Sequence, residues 1–351
     1  MLFVKGYKEE LKSYVITNKA LFQRFQGKRI LVSGAAGMIG SYVLDLLIVA
    51  NELLSTEIRT LAVDNNSDRL IQRFPETIPF LSRIVCDVND GVSFDGKVDY
   101  VIHAASNTSP LDYANMPVAT MRTNMVGTDN MIKFAIISEA KRFLFCSSVE
   151  AYGMNNGDVD LFDEEYCGYI NSNTLRAGYP SAKRASEALL NAYTAENQSF
   201  DFVVARIGRI YGPTVILGDT KAPTQFIMDA VHGRDIVMKS PGNQELSFAY
   251  VGDCSIALLK LLNDGVSGNA YNVADPESTV QLRDFAYIAA NTARTVITFE
   301  QMSEKEEQAY SKVNKAKMDI QKLQKLGWCA ECHLQEGVTK TISYLRELLN
   351  T

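Results

Sequence analysis

The sequence predicts an α/β fold: a doubly wound parallel sheet followed by a smaller C-terminal region that faces the substrate. Three observations carry this. From residue 29 to about residue 207, short apolar runs alternate with longer stretches of helical period, the pattern of parallel strands with helices on both faces. A glycine-rich turn joins the first apolar run to the first helical stretch. Beyond Gly208 the alternation gives way to Gly/Pro punctuation at Gly212-Pro213, Pro223 and Pro241-Gly242, marks of turns and shorter elements.

Taken in chain order, residues 1–27 form an amphipathic extension. Leu11, Tyr14 and Val15, then Leu21, Phe22 and Phe25, recur at helical spacing. A helix packed on the domain is the first expectation, a dimer contact the alternative. Strands are predicted at 29–33, 60–63, 82–85, 100–103, 143–146 and 202–206. Helices are predicted at 41–50, 120–139 and 181–194. The first unit covers 28–207, with 248–275 returning to it. The second comprises 208–247 and 276–351.

Composition excludes several classes. Of 351 residues, 46% are hydrophobic and 22% charged, and the net charge of −6 gives no general footprint for nucleic acid. No apolar stretch approaches the roughly 18 residues that span a bilayer. The first residues mix both charge signs, unlike a secretory signal, so a cytoplasmic protein is expected. The six cysteines are then expected as reduced thiols. Cys329-Ala330-Glu331-Cys332-His333 matches a haem-attachment spacing. With no export signal and no second Cys/His pair, neither haem nor a metal is expected there.

Gly34-Ala35-Ala36-Gly37-Met38-Ile39-Gly40 follows the strand Ile30-Leu31-Val32-Ser33 and opens a helix. Glycines there permit a tight turn and let a pyrophosphate approach the free N–H groups at the helix N-terminus. Asp64 ends the next strand, 24 residues after Gly40. A carboxylate at that place accepts from a ribose 2′-hydroxyl and repels a 2′-phosphate, which predicts NAD rather than NADP. Asp87 is a candidate for the adenine, or else a strand-end cap.

Tyr179 and Lys183 stand at i and i+4, on one helix face. A cation beside a phenol, together with the nicotinamide charge, favours the phenolate and so makes a base. Ser147 and Ser148 end the strand that starts near Phe143. With these residues the sequence resembles the extended short-chain dehydrogenase/reductases, specifically the nucleotide-sugar epimerases, dehydratases and decarboxylases. The resemblance runs over about 28–345. It continues through 101–106, 123–128, Ser148-Val149-Glu150-Ala151-Tyr152-Gly153, Tyr211-Gly212-Pro213, Tyr250-Val251-Gly252-Asp253 and Leu326-Gly327-Trp328. It implies a Rossmann domain holding NAD through Gly34, Gly37, Met38, Ile39, Gly40, Asp64, Asp87, Ala104, Ala105, Ser106, Asn124, Tyr179 and Lys183. It also implies a nucleoside-diphosphate sugar bound by Ser109, Ser148, Arg209, Gln225 and Phe226. Ser148 would orient the reacting hydroxyl, Tyr179 act as base, Lys183 hold the nicotinamide ribose and tune Tyr179, and Glu150 join the catalytic set. A homodimer through helices at 117–139 and 181–194 is a further implication.

The family's shared first step is oxidation at carbon 4 of the sugar. Residues 103–110, Tyr113, Pro117 and Glu150 look most like the UDP-glucuronate decarboxylases. A 4-epimerase is the alternative, and a catalytically silent NAD-binding sensor is the reading from a different class. A 4,6-dehydratase is disfavoured, because Val149 stands where those enzymes carry an acid and cannot donate a proton. Two departures concern charge: Arg209 replaces the usual Asn before Tyr-Gly-Pro, and Leu246 replaces an Arg that pairs with the diphosphate. Arg209 is therefore expected to hold the diphosphate, assisted by Lys315 or Lys221. Residues 154–178, with Tyr166, Asn171 and Asn173, are expected to form an active-site flap.

Overall fold

The computed structural model describes residues 1–75, 78–109, 113, 115–303 and 314–350; Pro110 of the resemblance lies outside them. Seven strands form one parallel sheet: β1 (Arg29–Ser33), β2 (Arg59–Asp64), β3 (Leu81–Val85), β4 (Tyr100–His103), β5 (Arg142–Ser148), β6 (Phe202–Ile207) and, after three strands of the second region, β10 (Asn269–Val273). Their spatial order is β10-β6-β5-β4-β1-β2-β3. The order reverses beside β1, and a crevice opens there at the carboxyl ends of β1 and β4, where α/β sheets bind ligands.

Near-continuous apolar strands are what a sheet covered on both faces requires. Leu144 and Cys146 of β5 pack into one apolar cluster, Phe143 and Phe145 into the other. Successive side chains therefore point to opposite faces. The covering helices include α3 (Met38–Leu54), the short α4 (Ser67–Arg73), α5 (Pro117–Ile137) and α6 (Gly178–Glu196). α3, α5 and α6 each start three residues before the predicted span. α3 opens at the glycine turn itself, which hydrophobic periodicity does not mark.

The extension folds as α1 (Lys5–Thr17) and α2 (Lys19–Gln23). It packs as the first expectation has it. Tyr7 donates to Asp45 of α3 at 2.6 Å. Buried Glu10 accepts from the hydroxyls of Tyr42 and Tyr250 at 2.8 and 2.7 Å. Tyr344 also donates to Glu10, and Lys340 pairs with it. Both belong to the last helix, α11 (Leu334–Leu349). A buried carboxylate needs such partners, so α1 ties the cofactor-side helices to the C-terminus.

Beyond β6 the chain builds a smaller second sheet. In it β9 (Glu245–Tyr250) pairs with β7 (Arg209–Tyr211), β11 (Thr279–Gln281) and β13 (Lys315–Ala316). The short strands β8 (Ile236–Met238) and β12 (Ile297–Phe299) pair beside it. Helices α7 (Ala222–Val231) and α9 (Leu282–Ala293) complete this half, whereas α8 (Val251–Asp264) returns to pack on α3, β5 and β6 of the parallel sheet and α10 (Gln321–Gln324) packs on β10. Strands of two or three residues carry too little periodicity to be read from sequence.

The Cys329–His333 segment leads into α11. Cys329 is exposed and Cys332 buried, the Cys332 N–H donates to Asp253 at 2.9 Å, and His333 Nδ1 lies 2.9 Å from Asp275. Among the described residues no group of His, Cys, Asp and Glu is placed to hold a metal, and no helix is long and apolar enough to cross a membrane.

Candidate active site

A cavity of about 390 Å³ runs from the glycine turn, past the ends of β4 and β5, to α7 and β8. At its first end, Gly34 has φ +70°, and a Cβ there would stand 2.8 Å from the Ala104 backbone. A Cβ on Gly40 would stand 2.3 Å from the Gly34 carbonyl oxygen. Only glycine permits that closeness of loop, helix and β4. Gly37 opens α3 with no side-chain cap, so backbone N–H groups at Met38, Ile39 and Gly40 border the cavity in the manner of an anion cradle. Asp64 accepts from the Ala36 N–H at 2.9 Å and the Asn66 N–H at 3.0 Å, which places its carboxylate against the same turn. This cradle, its acid and its helix N-terminus fit NAD.

Other residues of the expected cofactor set lie behind the cavity wall. Asp87 caps the turn Val88–Asp90 by accepting from Asn89, the strand-end cap that was its alternative. Buried Asn124 donates to the Thr120 carbonyl at 2.8 Å and accepts from Ser106 at 2.8 Å, tying α5 to the loop after β4. Ala104 and Ser106 line the cavity; Ala105, Asn124, Asp64 and Asp87 do not. The Ala105 N–H donates to Ser33. His103, beneath, sits 2.7 Å from Ser33 Oγ and 3.1 Å from Thr128 Oγ1. Burial lowers its pKa to about 3, helped by the Lys183 charge, so it stays neutral.

The reacting end is set by β5 and the start of α6. Ser148 caps the turn Val149–Tyr152, accepting from the Glu150 N–H at 3.2 Å. Ser147 instead donates to Glu187, so its hydroxyl is taken. Tyr179 and Lys183, 5% and 2% exposed, both line the cavity. Tyr113 stacks on Tyr179 with centroids 4.8 Å apart.

Burial raises the Tyr179 pKa to about 12; hydrogen bonds with Ser148 and Ser106 and the Arg209 charge pull it down, and Glu150 pushes it up. Lys183 lies beside this ring, with its Nζ 5.8 Å from the Tyr179 ring centre. Its ammonium donates to the Cys146 carbonyl at 2.8 Å, and burial lowers its pKa to about 8. The phenol is therefore protonated at neutral pH in the chain alone.

Arg209 lines the cavity and has a partner within the chain: its guanidinium donates to Glu150. Arg176 donates from the other side, to both Glu150 oxygens at 3.0 Å. Burial by itself raises the Glu150 carboxyl; the two guanidiniums override it and hold it down to about 2. Glu150 is thus bound to side chains, not to the backbone as its alternative had it. Lys315 lies outside the cavity, near Asp160. Lys221 borders it, donating to Asp219 at 2.8 Å and to Thr108 at 2.9 Å.

Gln225 and Phe226 of α7 line the far end. Ser109 sits outside the lining, 2.7 Å from Thr220 Oγ1. The expected flap meets the cavity only near its end. Met154 pairs with Tyr169 and Phe162 with Met318, and Phe162 stacks between Tyr152 and Tyr166. From this segment Arg176 lines the cavity, while Tyr166, Asn171 and Asn173 do not. Sequence reasoning passed over Arg176; its position three residues before Tyr179 was the available signal.

Residues 30–274 match the NAD-dependent epimerase/dehydratase family. Over 330 residues the chain is 31% identical to UDP-glucuronic acid decarboxylase 1 of Danio rerio, covering 92% of this chain and 73% of that one. It is 30% identical to UDP-glucuronic acid decarboxylase 5 of Arabidopsis thaliana over 314 residues, covering 88% and 87%. Among solved structures, a UDP-glucose 4-epimerase from Thermotoga maritima superposes with TM-score 0.77 at 22% identity, covering 92% of this chain and 99% of that one. A dTDP-glucose 4,6-dehydratase from Bacillus anthracis in complex with NAD gives 0.74 at 17%, covering 91% and 97%. The match over most of the parallel sheet, joined to a glycine cradle and a buried Tyr-Lys pair, makes this chain a member of the NAD-dependent epimerase/dehydratase family, an enzyme whose cofactor is NAD.

Proposed function

We propose that this enzyme oxidises UDP-glucuronate at carbon 4 and releases carbon dioxide from the resulting 4-keto acid. The observation that carries this is the reacting end: Ser148 and Tyr179 stand beside an ionised Glu150 flanked by guanidiniums, and the residue between Ser148 and Glu150 is apolar Val149. A ketone at carbon 4 turns a carbon 6 carboxylate into a β-keto acid, which loses CO₂ without needing an acid to protonate a leaving group. Elimination of water would need such an acid; Val149 cannot serve, and Glu150, held near 2, carries no proton at neutral pH. Similarity to the decarboxylases over about nine-tenths of the chain supports the same choice.

Bound NAD supplies the hydride acceptor, the donor for its return, and a positive ring beside Tyr179. The chain's residues do the rest. Tyr179 takes the carbon 4 hydroxyl proton, Ser148 orients that hydroxyl, and Ser106 and Ser148 stabilise the phenolate. Lys183, fixed by the Cys146 carbonyl, would hold the nicotinamide ribose. Asp64 would accept from the adenosine ribose, and the N–H groups of 38–40 would hold the pyrophosphate. Gln225, Phe226 and Lys221 hold the nucleotide end. The first unit, 28–207 with 248–275, carries the cofactor, and the second, 208–247 with 276–351, carries the sugar nucleotide.

A homodimer belongs to this reading. α5 exposes Val118, Met121 and Met125, and α6 exposes Ala185, Ala188 and Ala192. Apolar stripes on neighbouring helices suit a helix bundle between two copies. The function is tested by mass spectrometry after incubation with UDP-glucuronate and NAD. A product lighter by CO₂ is expected; an isomer of equal mass makes the enzyme a 4-epimerase and refutes decarboxylation.

A further inference from the structure

Arg209 has a placement that restricts what it binds. It begins β7 immediately after Gly208, lines the cavity and keeps 30% of its side chain exposed. Glu150 engages it through Nη2 alone. A guanidinium carries five N–H donors in a planar fork, so Glu150 fixes one corner and leaves donors for a ligand. Arg209 shares Glu150 with Arg176, whose guanidinium lies 5.6 Å from the centre of the Tyr113 ring that stacks on Tyr179. Those contacts, with Arg209 and Tyr179 both lining the cavity, locate the fork at the end where the sugar proton is removed.

The cavity offers a diphosphate a cation other than Arg209. Lys221 sits just before the N-terminus of α7, on the cavity wall with Thr220, Thr224 and Gln225. A sugar whose carbon 4 meets Tyr179 has its carbon 6 substituent two bonds beyond carbon 4, within the reach of a guanidinium at the reacting end. A planar fork matches a carboxylate in two parallel hydrogen bonds, and it offers little to a hydroxymethyl group. On another part of the wall, Leu246 presents an apolar side chain.

We infer that Arg209 is the specificity-determining residue of this site: its guanidinium, held at one corner by Glu150, receives the carboxylate on carbon 6 and selects acid sugars over neutral hexoses. The assignment rests on the proposed nucleotide-sugar reading, yet it is a statement about binding and is tested without turnover.

The test is titration calorimetry of the NAD-saturated protein with UDP-glucuronate, UDP-glucose and UDP, using wild type, Arg209→Asn and Arg209→Lys, with thermal melting as a check on folding. Wild type is expected to prefer UDP-glucuronate over UDP-glucose by ten- to a hundredfold, on the order of a charged hydrogen bond. Arg209→Asn removes that preference and leaves UDP and UDP-glucose within about twofold. Arg209→Lys, which keeps the charge but not the fork, retains part of it. Equal weakening of all three ligands by Arg209→Asn overturns the assignment in favour of a diphosphate contact. No change in any ligand, with a lowered melting temperature, overturns it in favour of a partner for Glu150 only. Should Arg209→Asn not fold, the other two proteins decide: no wild-type preference, or an unaltered preference in Arg209→Lys, overturns the assignment. Binding of none of the three by wild type overturns the nucleotide-sugar reading and this assignment with it, a failure visible before any substitution is made.

Discussion

Replacing Glu150 by Gln keeps the shape of the side chain and removes the anion between Arg176 and Arg209. The carboxyl is 8% exposed, and its guanidinium partners are 19% and 30% exposed, so solvent screens the pair only partly. A carboxyl displaced from its ordinary 4.5 to about 2 carries about 3 kcal/mol of folding free energy at neutral pH. Breaking a buried ion pair costs roughly 3–5 kcal/mol by direct measurement in other proteins. Glutamine still accepts one hydrogen bond, so the lower end applies: a loss of about 3 kcal/mol at pH 7. The pH dependence follows from the sign of the shift. Because the folded-state pKa is depressed, the contribution is complete above the unfolded value of about 4.5 and disappears as pH falls towards 2. Urea unfolding of wild type and Glu150→Gln from pH 7 to pH 3 should show a constant gap above about pH 5.5 that narrows below it. A gap under about 1 kcal/mol at pH 7, or one that does not narrow in acid, would refute the ion-pair reasoning.

Three further substitutions probe the cofactor side. Lys183→Met should stabilise the protein by about 2 kcal/mol at pH 7 and abolish turnover. Burial disfavours this ammonium, with its pKa lowered to about 8, and a depressed lysine makes wild-type stability rise with pH between about 8 and 10.5, a rise the variant should lack; urea unfolding at pH 7 and pH 9.5 checks both. Gly40→Ala places a Cβ 2.3 Å from the Gly34 oxygen and should cost about 3 kcal/mol together with NAD binding, as read by melting with and without NAD. Asp64→Ser should weaken NAD about tenfold and narrow its advantage over NADP, measured by fluorescence titration. An unchanged NAD/NADP ratio would remove Asp64 from that role.

The parallel sheet and the cofactor turn were legible in the sequence for separable reasons. Strands such as Ile30-Leu31-Val32 and Phe143-Leu144-Phe145 are apolar on both faces because helices cover both, and that leaves a local mark. The glycine turn was legible because a close backbone approach excludes every other residue at Gly34 and Gly40. The short strands of the second sheet left no such mark, since β13 is a two-residue pairing that exists only through β9. The packing of the segment after Met154 left no local mark for a related reason: the contact of Phe162 with Met318 joins residues far apart in sequence.

Charge shows the division most clearly. By itself the sequence determined which ionisable groups exist and which fall at helical or strand-end spacing: Tyr179 with Lys183, Ser148 with Glu150, Asp64 after its strand. Only the tertiary structure decided their partners. It gave Arg209 to Glu150 and turned the Lys183 ammonium to the Cys146 carbonyl. It also buried the Tyr179 phenol until its pKa rose to about 12. Spacing fixes direction along one element, whereas electrostatic energy depends on distance and on the removal of water, and both are set by elements that meet from distant parts of the chain.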